Sequence, residues 1–178
     1  MNPKLNSHQL RSLNPTEAKL LSPKLKRNPL VLVLENIVDT YNIGSFFRLA
    51  DALAVTKIYL PPCAVTPPNL KIHRSSVGTW KLVDWEQYTD IKSCLSSLHS
   101  AGYTSYAVEL DPKATSYLNT KYMFPAALVL GSESLGISTD TRKLCHHLVE
   151  IPQWGFNQSL NVLVAGALVG YKILESQP

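Results

Sequence analysis

Five polar residue types stand at three glycine-bearing turns where chemistry could occur. They are Asn42 and Arg48 in DTYNIGSFFR (39–48), Glu133 in LGSESLG (130–136), and Gln158, Ser159 and Asn161 just beyond IPQWG (151–155). Glycine lets a backbone turn tightly or approach a ligand closely. Such turns offer backbone amides and carbonyls and small polar groups, with the charged side chains of Arg48 and Glu133 nearby. Arg48 sits between Phe47 and Leu49 on an otherwise apolar stretch, where a guanidinium needs acceptors. Each residue also has a plainer reading. GSESLG serves equally as a strand-to-helix turn with Ser138 capping the next helix, Glu133 as a solvated carboxylate, and Arg48 as an exposed-face arginine.

Several other chemistries lack the residues they need. No GxGxxG, P-loop or GxSxG element is present, which removes the common nucleotide-binding and hydrolase readings. Cys63, Cys94 and Cys145 are scattered with no CxxC, a set that suits reduced, buried or half-buried thiols better than a disulfide framework or zinc site. His146 and His147 are adjacent, so their side chains diverge on a helix or strand. No metal is expected.

The elements that position these turns follow from hydrophobic periodicity. LVLVLE (30–35) reads as a buried strand, and Asn42 as the N-cap of a helix with Ile43, Phe46, Phe47, Ala50 and Leu53 on one face. TKIYLP (56–61) is a second strand, followed by a long proline-marked loop, AVTPPNLKIHRSSVGTW. Residues 86–100 read as helix, 105–110, 126–131 and 147–152 as further strands, and 113–122 and 138–146 as helices. Leu160 to Leu174 forms the last helix. Alternating strands and helices imply an α/β fold with a mostly parallel sheet and helices on both faces. Ligands of such sheets gather beyond the carboxyl ends of the strands, so the three turns are candidates for one site.

The last helix, LNVLVAGALVGYKIL, has almost no polar face and needs cover beyond one side of a sheet, most simply a second subunit. It is too short for a membrane span, and the polar, proline-marked N-terminus does not read as a leader, so a cytoplasmic location is expected. The chain's 178 residues suit one domain. Its charge is uneven: residues 1–28 carry six basic groups against Glu17, while the rest carries 11 basic and 12 acidic groups. That divides the chain into a basic arm (1–28) and a main domain (29–178). The arm is either a solvated extension or a source of phosphate contacts through Lys24, Lys26 and Arg27.

Taken together, NIVDTYNIGSFFRLADAL, ALVLGSESLGIS and IPQWGFNQSLNVLVAGAL resemble the three ordered motifs of the SPOUT-class TrmH/SpoU family of RNA ribose 2′-O-methyltransferases. KIHRSSVGTW resembles the loop between the first and second motifs, and the chain resembles compact members without a separate RNA-binding domain. The resemblance implies a C-terminal trefoil knot, bound S-adenosyl-L-methionine, and a homodimer joined through the C-terminal helix, with active sites that straddle the interface. It carries catalytic roles onto Arg48, Asn42, Glu133, Ser159 and Asn161, and cofactor contacts onto Leu130, Gly131, Ile151, Gln153 and Leu160. Lys71, His73 and Arg74 are the expected RNA contacts in the loop. The implied activity is methyl transfer to an RNA ribose 2′-hydroxyl, with tRNA the expected substrate. An rRNA substrate, or a catalytically silent RNA-binding assembly factor of the same fold, is the alternative.

Overall fold

A computed structural model describes residues 4–177; the first three residues of the basic arm and Pro178 lie outside the described residues. In chain order the elements are α1 (Ser7–Ser12), α2 (Pro15–Leu21), β1 (Asn28–Glu35), α3 (Thr40–Ala52), β2 (Val55–Leu60), α4 (Leu70–Ser76) and β3 (Trp85–Gln87). There follow α5 (Ile91–Ser100), β4 (Thr104–Val108), β5 (Thr115–Ser116), β6 (Ala126–Gly131), α6 (Thr139–Leu144), β7 (His147–Glu150) and α7 (Val162–Glu175). The seven strands form one sheet in the order β3-β2-β1-β6-β4-β7-β5, and every named pairing is parallel.

The continuous apolar run of β1 is buried on both sides of the sheet. Leu30, Leu32 and Leu34 face a core shared with Phe46, Phe47, Ile72 and Val169, from α3, α4 and α7. Val31 and Val33 face the opposite core, built with Cys94, Leu95 and Leu98 of α5. A strand buried on both faces has no polar alternation, which is why LVLVL is so uniform. Helices therefore cover both faces of a parallel sheet, as the periodicity implies.

Local capping corrects several boundaries. Asn42 is not the N-cap of α3. Asp39 is, its carboxylate accepting the Asn42 N–H at 2.8 Å, so Asn42 enters the first turn with its side chain free for other partners. The proline-marked loop contains α4, because Asn69 accepts the N–H groups of Lys71 and Ile72 and starts a helix directly after Pro67–Pro68. Residues 86–100 divide into β3 and α5, with Asp90 capping the helix through Ser93 N–H at 2.9 Å. Residues 113–122 are not helical. Thr115–Ser116 pair with β7 and Tyr117 N–H donates to the Glu150 carbonyl at 2.9 Å, while Ala114, Asn119 and Thr120 close local turns, so the segment's backbone divides between sheet edge and turns. Cys63, expected to be at least half-buried, is exposed in the loop after Pro61–Pro62, whereas burial pushes the Cys94 and Cys145 thiols up to about 12.

The basic arm folds into α1 and α2, each opened by a reciprocal cap in which Asn6 pairs with Gln9 and Asn14 with Glu17. It docks on the loop after α4, where Lys81 Nζ donates to the carbonyls of Arg11, at 3.1 Å, and Leu13.

Gly44 shows how α3 and α4 meet. A Cβ there would lie 1.9 Å from Ser75 Oγ and 2.8 Å from the Ile72 carbonyl oxygen. A mid-helix glycine costs about 1 kcal/mol, while burying Ile43, Phe46 and Phe47 in the same helix contributes roughly 1.5–3 kcal/mol each, so α3 tolerates it easily. Gly44→Ala is expected to destabilise the protein by about 1–3 kcal/mol despite its better helix propensity. Urea unfolding checks this, and an unchanged or raised midpoint would refute the close-approach argument.

Where β4 and β7 begin, Ser105 Oγ lies 2.9 Å from His99 Nε2 and 3.0 Å from His146 Nδ1, and also accepts the His146 N–H at 3.0 Å. Burial, and then the neighbouring His146, hold the His99 imidazole below its ordinary range. With the folded value depressed, the unfolded chain binds the proton first. The contribution is full above an unfolded value of about 6.5 and is lost as pH falls through the folded value. Urea midpoints are therefore expected to drop on acidification below about pH 6.5, and less so in His99→Asn.

Candidate active site

Parallel pairing of β1 with β6 runs from Leu30↔Ala126 to Glu35↔Gly131, so the two strands end side by side. The turns that follow them meet at this end of the sheet. Asn42 Nδ2 donates to Glu133 Oε1 at 2.9 Å, and Asn161 Nδ2 donates to the same oxygen at 3.1 Å. One carboxylate oxygen thus joins all three turns. Asn161 is also the N-cap of α7, its Oδ1 accepting Leu163 N–H at 3.0 Å, which fixes the amide so that its NH2 faces Glu133.

Beside this junction lies a cleft of about 330 Å³. Leu130, Gly131, Ile151, Gln153 and Leu160 all line it, together with Glu133 and Ser159. The cofactor-contact positions expected from the sequence therefore converge on a single space. Leu130, Ile151, Val162 and Ala165 offer apolar surface, and Ser132, Glu133, Gln153, Gln158 and Ser159 bring polar groups to the same walls. The loop 131–137 is folded back tightly, with Ser132 and Gly136 forming an antiparallel bridge. A Cβ on Gly131 would lie 2.2 Å from the Gly136 carbonyl carbon, so only glycine fits the end of β6.

Two carboxylates hold that loop from below. Glu109 Oε2 accepts Ile137 N–H at 2.7 Å, and Glu35 accepts Ser138 N–H at 3.2 Å and the Thr141 hydroxyl at 2.8 Å. Glu109 and Arg142, which pairs with Asp111 at 2.9 Å, also line the cleft and were not anticipated from the sequence. A signal for Glu109 existed in its place directly after an apolar strand. Arg142 had none, because an arginine on a short polar helix resembles any solvated one.

The other expected residues are placed differently. Ser159 lines the cleft but its N–H and hydroxyl turn to Asn157 Oδ1, outside the Glu133 junction. Arg48 is exposed on α3 and forms no ion pair among the described residues. Lys71 and Arg74 are exposed on α4, whereas His73 Nδ1 accepts the Trp80 indole N–H at 3.2 Å. Lys24 and Lys26 are exposed in the arm, and Arg27 turns inward, its Nη2 donating to Ser22 Oγ at 3.1 Å and to the Leu82 carbonyl.

Residues 29–171, spanning all three turns, match the SpoU rRNA Methylase family. The chain belongs to that family. It is 37% identical over 145 residues to a 23S rRNA (guanosine-2'-O-)-methyltransferase RlmB of Blochmanniella floridana, covering 80% of this chain and 56% of that protein. It is 31% identical over 147 residues to a tRNA (guanosine(18)-2'-O)-methyltransferase of Thermus thermophilus, covering 81% of this chain and 74% of the relative. The chain spans about half the length of curated relatives such as the Blochmanniella protein. The SpoU methyltransferase AviRb of Streptomyces viridochromogenes, solved in complex with AdoMet, shares the fold with a TM-score of 0.76 at 22% identity over 85% of this chain and 61% of that one. Mostly parallel sheet and helices on both faces thus agree with the SpoU fold.

The Glu133 junction of this SpoU family chain is energetically testable. In a double-mutant cycle, Glu133→Gln and Asn161→Ala are expected to couple by about 0.5–1 kcal/mol in urea unfolding, the low end for a hydrogen-bonded pair because this one is exposed. Additive effects would mean that the bond contributes nothing to stability.

Proposed function

We propose that this chain is an S-adenosylmethionine-dependent methyltransferase acting on a ribose 2′-hydroxyl of RNA. The observation that carries the reading is the single oxygen of Glu133 tying Asn42 to Asn161 at the edge of the cleft. The cleft fits the cofactor's chemistry: Leu130, Ile151, Val162 and Ala165 suit the flat adenine, and Gly131, Gln153 and Leu160 offer backbone or amide groups for its polar edges. When bound, S-adenosylmethionine supplies a methyl group on a sulfonium, an electrophile that needs no metal.

The chain's own task is then to place and activate a poor nucleophile. Asn42 and Asn161, oriented by Glu133, present amide groups that bind and orient the ribose. A guanidinium is a fixed cation, so the role of Arg48 is to stabilise negative charge developing on the 2′-oxygen, or to hold the adjacent phosphate, and not to remove a proton as a neutral base. Arg48 is exposed and makes no ion pair among the described residues of its own chain, which supports a site completed by a second copy. The exposed apolar stripe of Val164, Leu168 and Tyr171 on α7 supports the same homodimer, as a face that a second α7 would cover. The C-terminal trefoil knot belongs with this reading, as does a cytoplasmic location. No helix among the described residues is long and apolar enough to cross a membrane.

The RNA substrate in this proposal is tRNA, supported by the 74% of the Thermus tRNA enzyme that the chain spans. An rRNA substrate is the second reading, favoured by the 37% identity to the Blochmanniella enzyme. Purified protein, methyl-labelled cofactor and separate tRNA and rRNA pools, followed by nucleoside mass spectrometry, decide between them. Arg48→Ala is expected to lose at least about 10²-fold in methyl transfer while keeping its cofactor affinity, the scale for removing one charge-stabilising donor. Near-normal turnover in that variant refutes the role, and label on a base instead of a ribose refutes the reaction.

A further inference from the structure

A second cavity, about 450 Å³, lies beneath the N-terminal helices, larger than the cleft at about 330 Å³. Arg27, which lines it, directly precedes β1, so this cavity sits at the amino-terminal edge of the sheet and the Glu133 junction beyond the carboxyl-terminal edge. Its lining carries three cations, Lys4, Lys24 and Arg27, against one carboxylate, Asp51. None of the three cations forms an ion pair among the described residues.

Arg27 is the informative residue. Its Nη2 is satisfied by Ser22 and Leu82, but its Nη1 is buried without a hydrogen-bond partner among the described residues. Buried guanidinium nitrogens are normally paired, and anionic oxygens are their strongest partners. Asp51 does not fill this role: no ion pair joins it to Arg27 among the described residues, and burial pushes its carboxyl above the ordinary range, with the Arg27 charge partly opposing. Apart from Ser22, the remaining walls are apolar, including Leu10, Leu21 and Leu82. A bare phosphate would leave most of this space empty, whereas pockets of about 300–1,000 Å³ take ligands the size of a nucleotide.

We propose that this cavity binds one nucleotide of an RNA, its phosphate held by Lys4, Lys24 and Arg27, its base against the leucines, and Asp51 accepting from a base N–H. The choice of RNA over a free nucleotide rests on the function proposed above; the phosphate chemistry is common to both. The basic arm is then a concave reader of the RNA, set at the far edge of the sheet from the site of methyl transfer, and not merely a charged surface.

The test uses the full chain and calorimetric titration with inorganic phosphate, guanosine 5′-monophosphate and, separately, S-adenosylmethionine, alongside fluorescence anisotropy with labelled tRNA. Lys24→Glu reverses an exposed charge, and Ala52→Trp fills the cavity from an exposed position, so neither disturbs the core. The mononucleotide is expected to bind more tightly than phosphate, and both variants to weaken mononucleotide and tRNA binding by about tenfold or more with unchanged S-adenosylmethionine affinity. No mononucleotide binding, or binding insensitive to both variants, overturns the site. Loss of mononucleotide binding with tRNA affinity intact overturns its assignment to RNA. Absent S-adenosylmethionine binding beside variant-sensitive nucleotide binding would sink the methyltransferase reading and still support the cavity.

Discussion

The structure depends on the in-register parallel pairing of β1 with β6. These strands are distant in sequence, yet their register sets Glu35 beside Gly131 at the same end of the sheet. Everything that could act chemically follows from that alignment. Asn42, one turn beyond β1, and Glu133, two residues beyond β6, are 91 positions apart and meet at 2.9 Å. A one-residue slip would turn every side chain of a strand to the opposite face; β1 is apolar on both faces, so the different packing of its leucines and valines in the two cores, and not polar alternation, opposes a slip.

The junction itself is held by modest forces. Its hydrogen bonds are exposed, and bonds of this kind contribute about 1 kcal/mol each, far less than the buried side chains beneath them. Rigidity comes from the layer below. Glu35 and Glu109 place their carboxylates under the backbone N–H groups of Ser138 and Ile137, and the Gly131–Gly136 contact leaves no room for the loop to open inward. Polar groups at the mouth of the cleft can therefore exchange partners with a ligand while the loop that carries them stays in place. This is the arrangement a binding site needs: a firm scaffold with weakly committed side chains.

The two ends of the sheet carry cavities of different character. At the carboxyl-terminal edge, apolar walls and amide groups surround a compact cleft. At the amino-terminal edge, the basic arm encloses a larger, cation-rich space. The net positive charge of the chain resides in that arm, and its helices dock on the loop beyond α4 through Lys81, which ties charge distribution to tertiary structure.

Sequence by itself determined the strand cores, the apolar face of α3 and the identity of the three turns, because these rest on local periodicity and on motifs whose spacing survives along the chain. LVLVL, AALVLG and the Ile43–Leu53 stripe were legible for that reason. Local chemistry misled where competing partners lay elsewhere. Asn42 had the right type for a cap, but Asp39 took the cap, and within residues 113–122 the backbone of 115–117 bonds to β7 while 119 and 120 close turns onto Ser116 instead of forming a helix. Only tertiary structure decided that Glu133 would bridge two asparagines, that Arg48 would be exposed with no ion pair among the described residues, and that Arg27 would turn inward from a basic arm. Those outcomes depend on which elements pack side by side, a relation between distant parts of the chain that residue type and spacing do not encode locally.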